Sequence, residues 1–237
     1  MEFKRFIYKF LGLVYPEKCA CCGRVITPDS LVCEYCIDAL PYINEPICTD
    51  CGIEKTNCTC NNRKNSYNSL IAPFYYKGVI ARSIRDFKFG SKKYIYRFLA
   101  NEMANCVNNK YDEDVFDFIC CVPMTKQKIS QRGYNQSELL AREIGTTLGI
   151  RYVDALEKLY EIPEQHSLNA QQRKGNVIGV FEAKEDVDFQ DANILLCDDI
   201  KTTGATLEEC TKILLLAGAK QVKCVTAAIT FNDKNEN

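Results

Sequence analysis

The sequence holds no apolar run long enough to span a bilayer. It also lacks the continuous apolar core and small-residue cleavage site of a signal peptide, because charge interrupts the N-terminal MEFKRFIYKFLGLVYP. Phe3, Phe6, Ile7, Phe10, Leu11 and Val14 fall near helical spacing instead. They predict a helix over 1–18 packed on its own domain, with a membrane-surface helix as the alternative. Excess charge is missing too. The formal net charge of −1 advertises no nucleic-acid partner for the chain as a whole and leaves only a local basic face. Glycine and proline are few, twelve and seven in 237 residues, and the composition is that of a globular chain with a core of normal size. No low-complexity segment occurs. Histidine is represented by His166 alone, which reads as incidental.

Cysteine is abundant. Nine of the fifteen lie between Cys19 and Cys60. With no signal peptide, such a segment binds metal more readily than it forms disulfides. Cys19 and Cys22, Cys33 and Cys36, and Cys48 and Cys51 are C-x2-C pairs; Cys58 and Cys60 form a tighter C-x-C. Glycine follows two pairs, at Gly23 and Gly52, where a tight turn aims both thiolates at one ion. Tetrahedral zinc takes four thiolates, so these eight cysteines predict two sites, with Cys21 spare. Sequential pairing is the simplest; an interleaved one has compatible spacing. All-cysteine sites have no open position, so both zinc ions read as structural. A segment this poor in apolar residues needs metal to fold. The other six cysteines (106, 120, 121, 197, 210 and 224) mostly sit in apolar surroundings and read as core residues of a reduced, cytoplasmic protein.

The predicted organisation is a helix (1–18), a zinc-binding module (19–60), a polar linker (61–69) and a larger domain (70–237). In the last, SLIAPFYYKG reads as a strand with a turn and Ile80 to Ala104 as one basic helical segment. Phe116–Val122 reads as a buried strand, Asn135–Leu148 as an amphipathic helix, Asn193–Cys197 as a second strand, Thr206–Ala217 as a helix and Val222–Thr230 as a third strand. Strands alternating with helices predict an α/β fold with a parallel, doubly wound sheet.

In such a sheet ligands lie beyond the carboxyl ends of the strands. There the chain reads ILLCDDIKTTGATLEEC: four apolar residues, Asp198 and Asp199, then Lys201, Thr202, Thr203, Gly204, Ala205 and Thr206 leading into a helix. A helix N-terminus with hydroxyls and a glycine suits a phosphate. Two carboxylates beside it suit sugar hydroxyls or magnesium. Together they predict a ribose phosphate, its phosphate on the loop and its hydroxyls on the aspartates.

ILLCDDIKTTGAT resembles the PRPP-binding signature of type I phosphoribosyltransferases. VPMTKQKISQRGYNQSELLA, with Arg132-Gly133-Tyr134-Asn135-Gln136, resembles a segment of the ComF/ComFC family, as do Gln165, Leu168, Arg173, Asn176, Val177 and Phe181 in QHSLNAQQRKGNVIGVF. With the paired cysteines, the resemblance covers nearly the whole chain. Met124 and Lys201 depart from it, as does EKLYEIPEQ ahead of His166. The resemblance implies a type I phosphoribosyltransferase-like domain behind a double zinc ribbon. It also implies a cytoplasmic role in DNA uptake during natural transformation, beside a ComFA-type helicase on incoming single-stranded DNA.

The same resemblance implies displacement of diphosphate from PRPP, with magnesium bridging diphosphate and ribose, Asp198 and Asp199 on the ribose, and Lys88 and Arg132 against the diphosphate. No acceptor site is visible, so turnover stays open, with a conventional phosphoribosyltransferase as the alternative function and a ligand-sensing docking module as a third. Arg82, Arg85, Lys88, Lys92, Lys93 and Arg97, interleaved with Phe87, Phe89, Tyr94, Tyr96 and Phe98, form a candidate single-strand track. A solvated helix with core aromatics has equal weight.

Overall fold

The computed structural model describes residues 16–28, 30–60, 65–90, 92–111, 115–160 and 179–231. The expected N-terminal helix, apart from 16–18, lies outside them, as do His166, Gln165, Leu168, Arg173, Asn176 and Val177. Residues 16–18 are not helical, and Lys18 pairs with Val25 in an antiparallel bridge.

The apolar runs form a parallel sheet. Its strands are β1 (Ser69–Ile71), β2 (Phe74–Tyr75), β3 (Phe118–Cys121), β6 (Asn193–Lys201) and β7 (Gln221–Ile229). The order is β1-β7-β6-β3, and β2 continues beside β7 further along. Every pairing in it is parallel. Its inner strands are apolar on both sides because both faces are covered. Leu195, Cys197 and Val225 pack with α2 (Gly78–Phe89), α3 (Ile95–Lys110) and α5 (Gln136–Leu148). Their strand neighbours Ile194, Leu196, Val222 and Cys224 pack with α6 (Ala205–Leu216). Alternation along each strand thus divides one hydrophobic sequence between two cores.

Three elements differ from the sequence reading. The segment Ile80–Ala104 is two helices: α2 ends at Gly90, where a Cβ would lie 2.7 Å from the Asp86 carbonyl oxygen. β6 runs on to Lys201 because β7 keeps pairing with it as far as Lys201 opposite Ile229. A separate antiparallel ribbon, β4 (Leu156–Lys158) with β5 (Phe181–Ala183), and the short α4 (Lys126–Arg132) come from segments with no clear periodicity.

The cysteine segment, with a short helix α1 (Glu34–Ile37), carries two knuckles of one design. Bridges Lys18–Val25 and Ile47–Glu54 flank them, and the amides of Gly23 and Gly52 donate to the Cys19 and Cys48 carbonyls at 2.9 and 2.8 Å. Both glycines have positive φ, 75° and 77°. The first knuckle packs on α2, where Ser83 Oγ donates to the Ala20 carbonyl at 2.8 Å. The second packs on β1 and the carboxyl end of β7: the Leu70 amide donates to the Thr49 carbonyl at 2.8 Å, and a Cβ on Gly52 would meet Ile229 Cδ1 at 2.6 Å.

Candidate functional site

The cysteines gather sequentially. Cys19, Cys22, Cys33 and Cys36 form one cluster and Cys48, Cys51, Cys58 and Cys60 the other, with the sulfurs of each cluster within 4.8 Å of one another. The Cys22–Cys33 and Cys48–Cys60 Sγ distances are both 3.7 Å, and four thiolates about 2.3 Å from a tetrahedral zinc stand at about this separation. The interleaved pairing is excluded. Burial opposes ionisation of Cys19, yet the amides of Cys33, Cys22 and Cys21 bring its thiol down to about 6. The Cys60 amide brings Cys58 down to about 7. Cys21 is the spare: burial and its neighbours' charges push it up to about 12, so it remains a thiol. The donor chemistry and spacing fit two structural zinc ions.

The second site lies at the carboxyl end of β6. β3 ends at Cys121, opposite Cys197, so Asp198 and Asp199 stand beyond it while still held by β7. Successive strand residues alternate across the sheet, and the two carboxylates leave in different directions. Asp199, 7% exposed, reaches α2, where Lys88 Nζ stands 2.9 Å from its Oδ2. Asp198 Oδ1 accepts from Ser137 Oγ and from the Asp199 amide, both at 2.8 Å. Burial and the Asp199 charge push Asp198 up to about 7, against the pull of Ser137 and Lys88.

The chain then turns through Thr202, Thr203 and Gly204. Gly204 has φ 80° and opens α6 with no side-chain cap, leaving first-turn amides of a twelve-residue helix for an anion. Thr203 Oγ1 accepts from the Ala205 amide at 3.3 Å. Thr202 is exposed; Thr206 and Ala205 are half-buried on the first turn.

RGYNQ docks α5 onto the site. Gly133, at φ 84°, ends α4. Tyr134 donates to the Phe87 carbonyl at 2.6 Å. Asn135 caps α5 by accepting from the Ser137 amide at 3.0 Å and ties it to β3 by donating to the Val122 carbonyl at 3.2 Å. Ser137 is therefore a site residue that the sequence reading passed over; its signal was a serine just inside the helix that the motif opens.

Lys88 meets Asp199, and the Thr/Gly loop follows the aspartates at the end of the same strand. Two predicted residues point elsewhere. The Arg132 guanidinium lies 4.9 Å from the centre of the Phe89 ring and 3.4 Å from Gln136 Oε1. Lys201 Nζ donates to the Cys51 carbonyl at 3.3 Å, in the second knuckle. Along the basic track Phe87 and Phe98 are buried, Tyr94 and Tyr96 are half-buried, and Phe89 is 72% exposed. Arg82, Arg85, Lys93 and Arg97 face solvent. The solvated-helix reading thus holds for most of its aromatics.

Among the described residues, no helix is long and apolar enough to cross a membrane. The sequence model of the double zinc ribbon domain family matches residues 10–64, and that of the phosphoribosyl transferase domain family matches residues 131–237. Competence protein ComFC of Streptococcus pneumoniae is 29% identical, covering 87% of this chain and 97% of its own. Competence protein F of Haemophilus influenzae is 26% identical, covering 86% and 92%. DNA utilization protein YhgH of Escherichia coli K12 is 26% identical, covering 86% and 87%. Among solved structures, a purine phosphoribosyltransferase from Pyrococcus horikoshii is a remote neighbour, 16% identical with TM-score 0.37 over 56% of this chain and 83% of that one. A double zinc ribbon ahead of a phosphoribosyl transferase domain is thus matched in one chain, and over most of its length that chain is similar to proteins named competence protein ComFC and competence protein F.

Proposed function

We propose that the chain binds PRPP or a related ribose 5-phosphate at the carboxyl end of β6 and acts in the cytoplasm on incoming single-stranded DNA during natural transformation. One observation carries the pocket: an acid pair, an ammonium 2.9 Å from one of its oxygens and an uncapped helix start share one strand end. The first-turn amides of α6, with Thr203 and Thr206, hold the 5′-phosphate. Asp198 and Asp199 accept from the ribose hydroxyls. Lys88 exchanges Asp199 for the diphosphate. Magnesium, when bound with PRPP, supplies positive charge to the diphosphate oxygens. The carboxylates suit it as partners through their remaining oxygens, since Asp198 Oδ1 already accepts from two donors.

The names of the relatives, competence and DNA utilization, support the DNA role. So do the exposed Arg82, Arg85, Lys93 and Arg97 beside exposed Phe89. A ComFA-type helicase is the proposed protein partner.

The test is calorimetry of magnesium-PRPP on zinc-loaded wild type and on the Asp198→Asn/Asp199→Asn double variant. Binding that the variant loses establishes the pocket. No heat with folded wild type removes it.

A further inference from the structure

Lys201 belongs to the phosphate-loop signature by sequence and to the zinc ribbon by contact. It is the last residue of β6, and its carbonyl accepts from the Thr230 amide at 2.9 Å. Its stem then covers Gly204, with Cε 3.5 Å and Cγ 3.9 Å from the point a Cβ there would occupy. Its ammonium ends 3.3 Å from the Cys51 carbonyl. Four thiolates around one Zn2+ carry a net double negative charge. A cation beside such a centre offsets part of that charge.

Other contacts run the same way. Asp50, next to Cys51, accepts at its carbonyl from Tyr67 Oη at 3.0 Å and Asn65 Nδ2 at 2.8 Å. The Tyr67 hydroxyl also lies 3.8 Å from the Cβ point of Gly204. Between Asn65 and Tyr67, Ser66 gives its amide and hydroxyl to the two carboxylate oxygens of Glu208, in the first turn of α6, at 2.8 and 2.7 Å. The second knuckle and the phosphate loop thus share one set of supports.

We propose that Lys201 is the outer counter-charge of the second zinc site, and that through it zinc in that site and anion on the phosphate loop stabilise one another. The second half rests on the ribose-phosphate reading; the first does not. Coupling of this kind is reciprocal, so ligand must hold zinc as firmly as zinc holds ligand.

The experiment follows zinc release from the full-length protein to a chromogenic chelator, with and without ribose 5-phosphate. Wild type, Lys201→Gln and Lys201→Arg are compared after circular dichroism has checked their fold. One of two zinc ions should leave Lys201→Gln at least tenfold faster, the other at the wild-type rate, with Lys201→Arg restoring retention. In wild type, ribose 5-phosphate should slow that same ion at least threefold. If Lys201→Gln keeps both ions at wild-type rates, the counter-charge role is overturned; if it also loses ribose 5-phosphate affinity, Lys201 is a phosphate ligand instead. Wild type that shows heat with ribose 5-phosphate but no protection overturns the coupling. No heat at all refutes the pocket and the coupling, while the release rates still decide the role of Lys201. Should Lys201→Gln fail to fold, protection in wild type remains decisive for the coupling, and cobalt in place of zinc gives a second readout in Lys201→Arg. Its thiolate-to-cobalt absorption should match wild type if charge alone matters; a band shifted as in a ligand-exchanged site overturns the proposal.

Discussion

Lys88 Nζ stands 2.9 Å from Asp199 Oδ2, so in the free protein one of the two candidate ribose carboxylates is already paired with the cation proposed for the diphosphate. Truncating Lys88 to methionine removes a charge needed only by the longer ligand. Calorimetry should show magnesium-PRPP weakened about tenfold or more, the scale of one partly buried charged hydrogen bond. Ribose 5-phosphate, which has no diphosphate, should change much less. Equal losses for both would place Lys88 on the 5′-phosphate.

Asp198 gives the fold a pH dependence. Its carboxyl is raised in the folded chain from 3.8 to about 7, chiefly by burial and then by Asp199. Between those values the folded chain binds more protons than the unfolded one, so this residue's contribution to stability falls as pH rises. Asp198→Asn should raise Tm at pH 8 and leave it nearly unchanged at pH 4. Each kcal/mol relieved is worth about 2–4 °C at this chain length. A loss of Tm at pH 8 would show that the carboxylate stabilises the fold instead.

Ser137 steadies the charged form of Asp198 through its 2.8 Å hydrogen bond. Ser137→Ala should move the pH midpoint of ribose 5-phosphate binding upward and leave affinity at high pH close to wild type. Calorimetry from pH 6 to 9 separates this from general damage, which would lower affinity at every pH.

The two knuckle glycines make an internal comparison. Both have positive φ, so any side chain is strained at either. A Cβ on Gly23 meets nothing within 4 Å, whereas one on Gly52 runs into Ile229 and Leu70. Gly52→Ala should therefore cost clearly more in thermal stability than Gly23→Ala, by about 1–3 kcal/mol, the usual range for overpacking. Equal losses would mean that the second knuckle does not rest on the sheet.

Much of this was readable beforehand. Apolar runs such as FICC and ILLC became β3 and the start of β6, since a strand covered on both faces has little choice of composition. The cysteine pairs gave the ligands but not their grouping, which depends on where the knuckles pack. β6 extends past the aspartates because a partner strand continues, and local sequence carries no record of its partner. The division falls at Gly90, where only a residue without a Cβ fits against the Asp86 carbonyl, a constraint that helical periodicity does not report. Lys201 stood inside a phosphate-loop pattern, and its stem is long enough that tertiary contact, not position, decides where its charge goes.

The strand order also sets a sequence of events during synthesis. β7 is the last described strand, yet it lies between β1 and β6 and forms, with Ile229, the seat of the second knuckle. Nothing can occupy that seat until about 170 residues after Cys60 have left the ribosome, the span from Cys60 to Ile229. Contacts so distant along the chain form late. The second knuckle of a nascent chain must therefore rely on captured metal for shape, and a cell short of zinc would make a chain in which that knuckle waits unfolded for a platform built last.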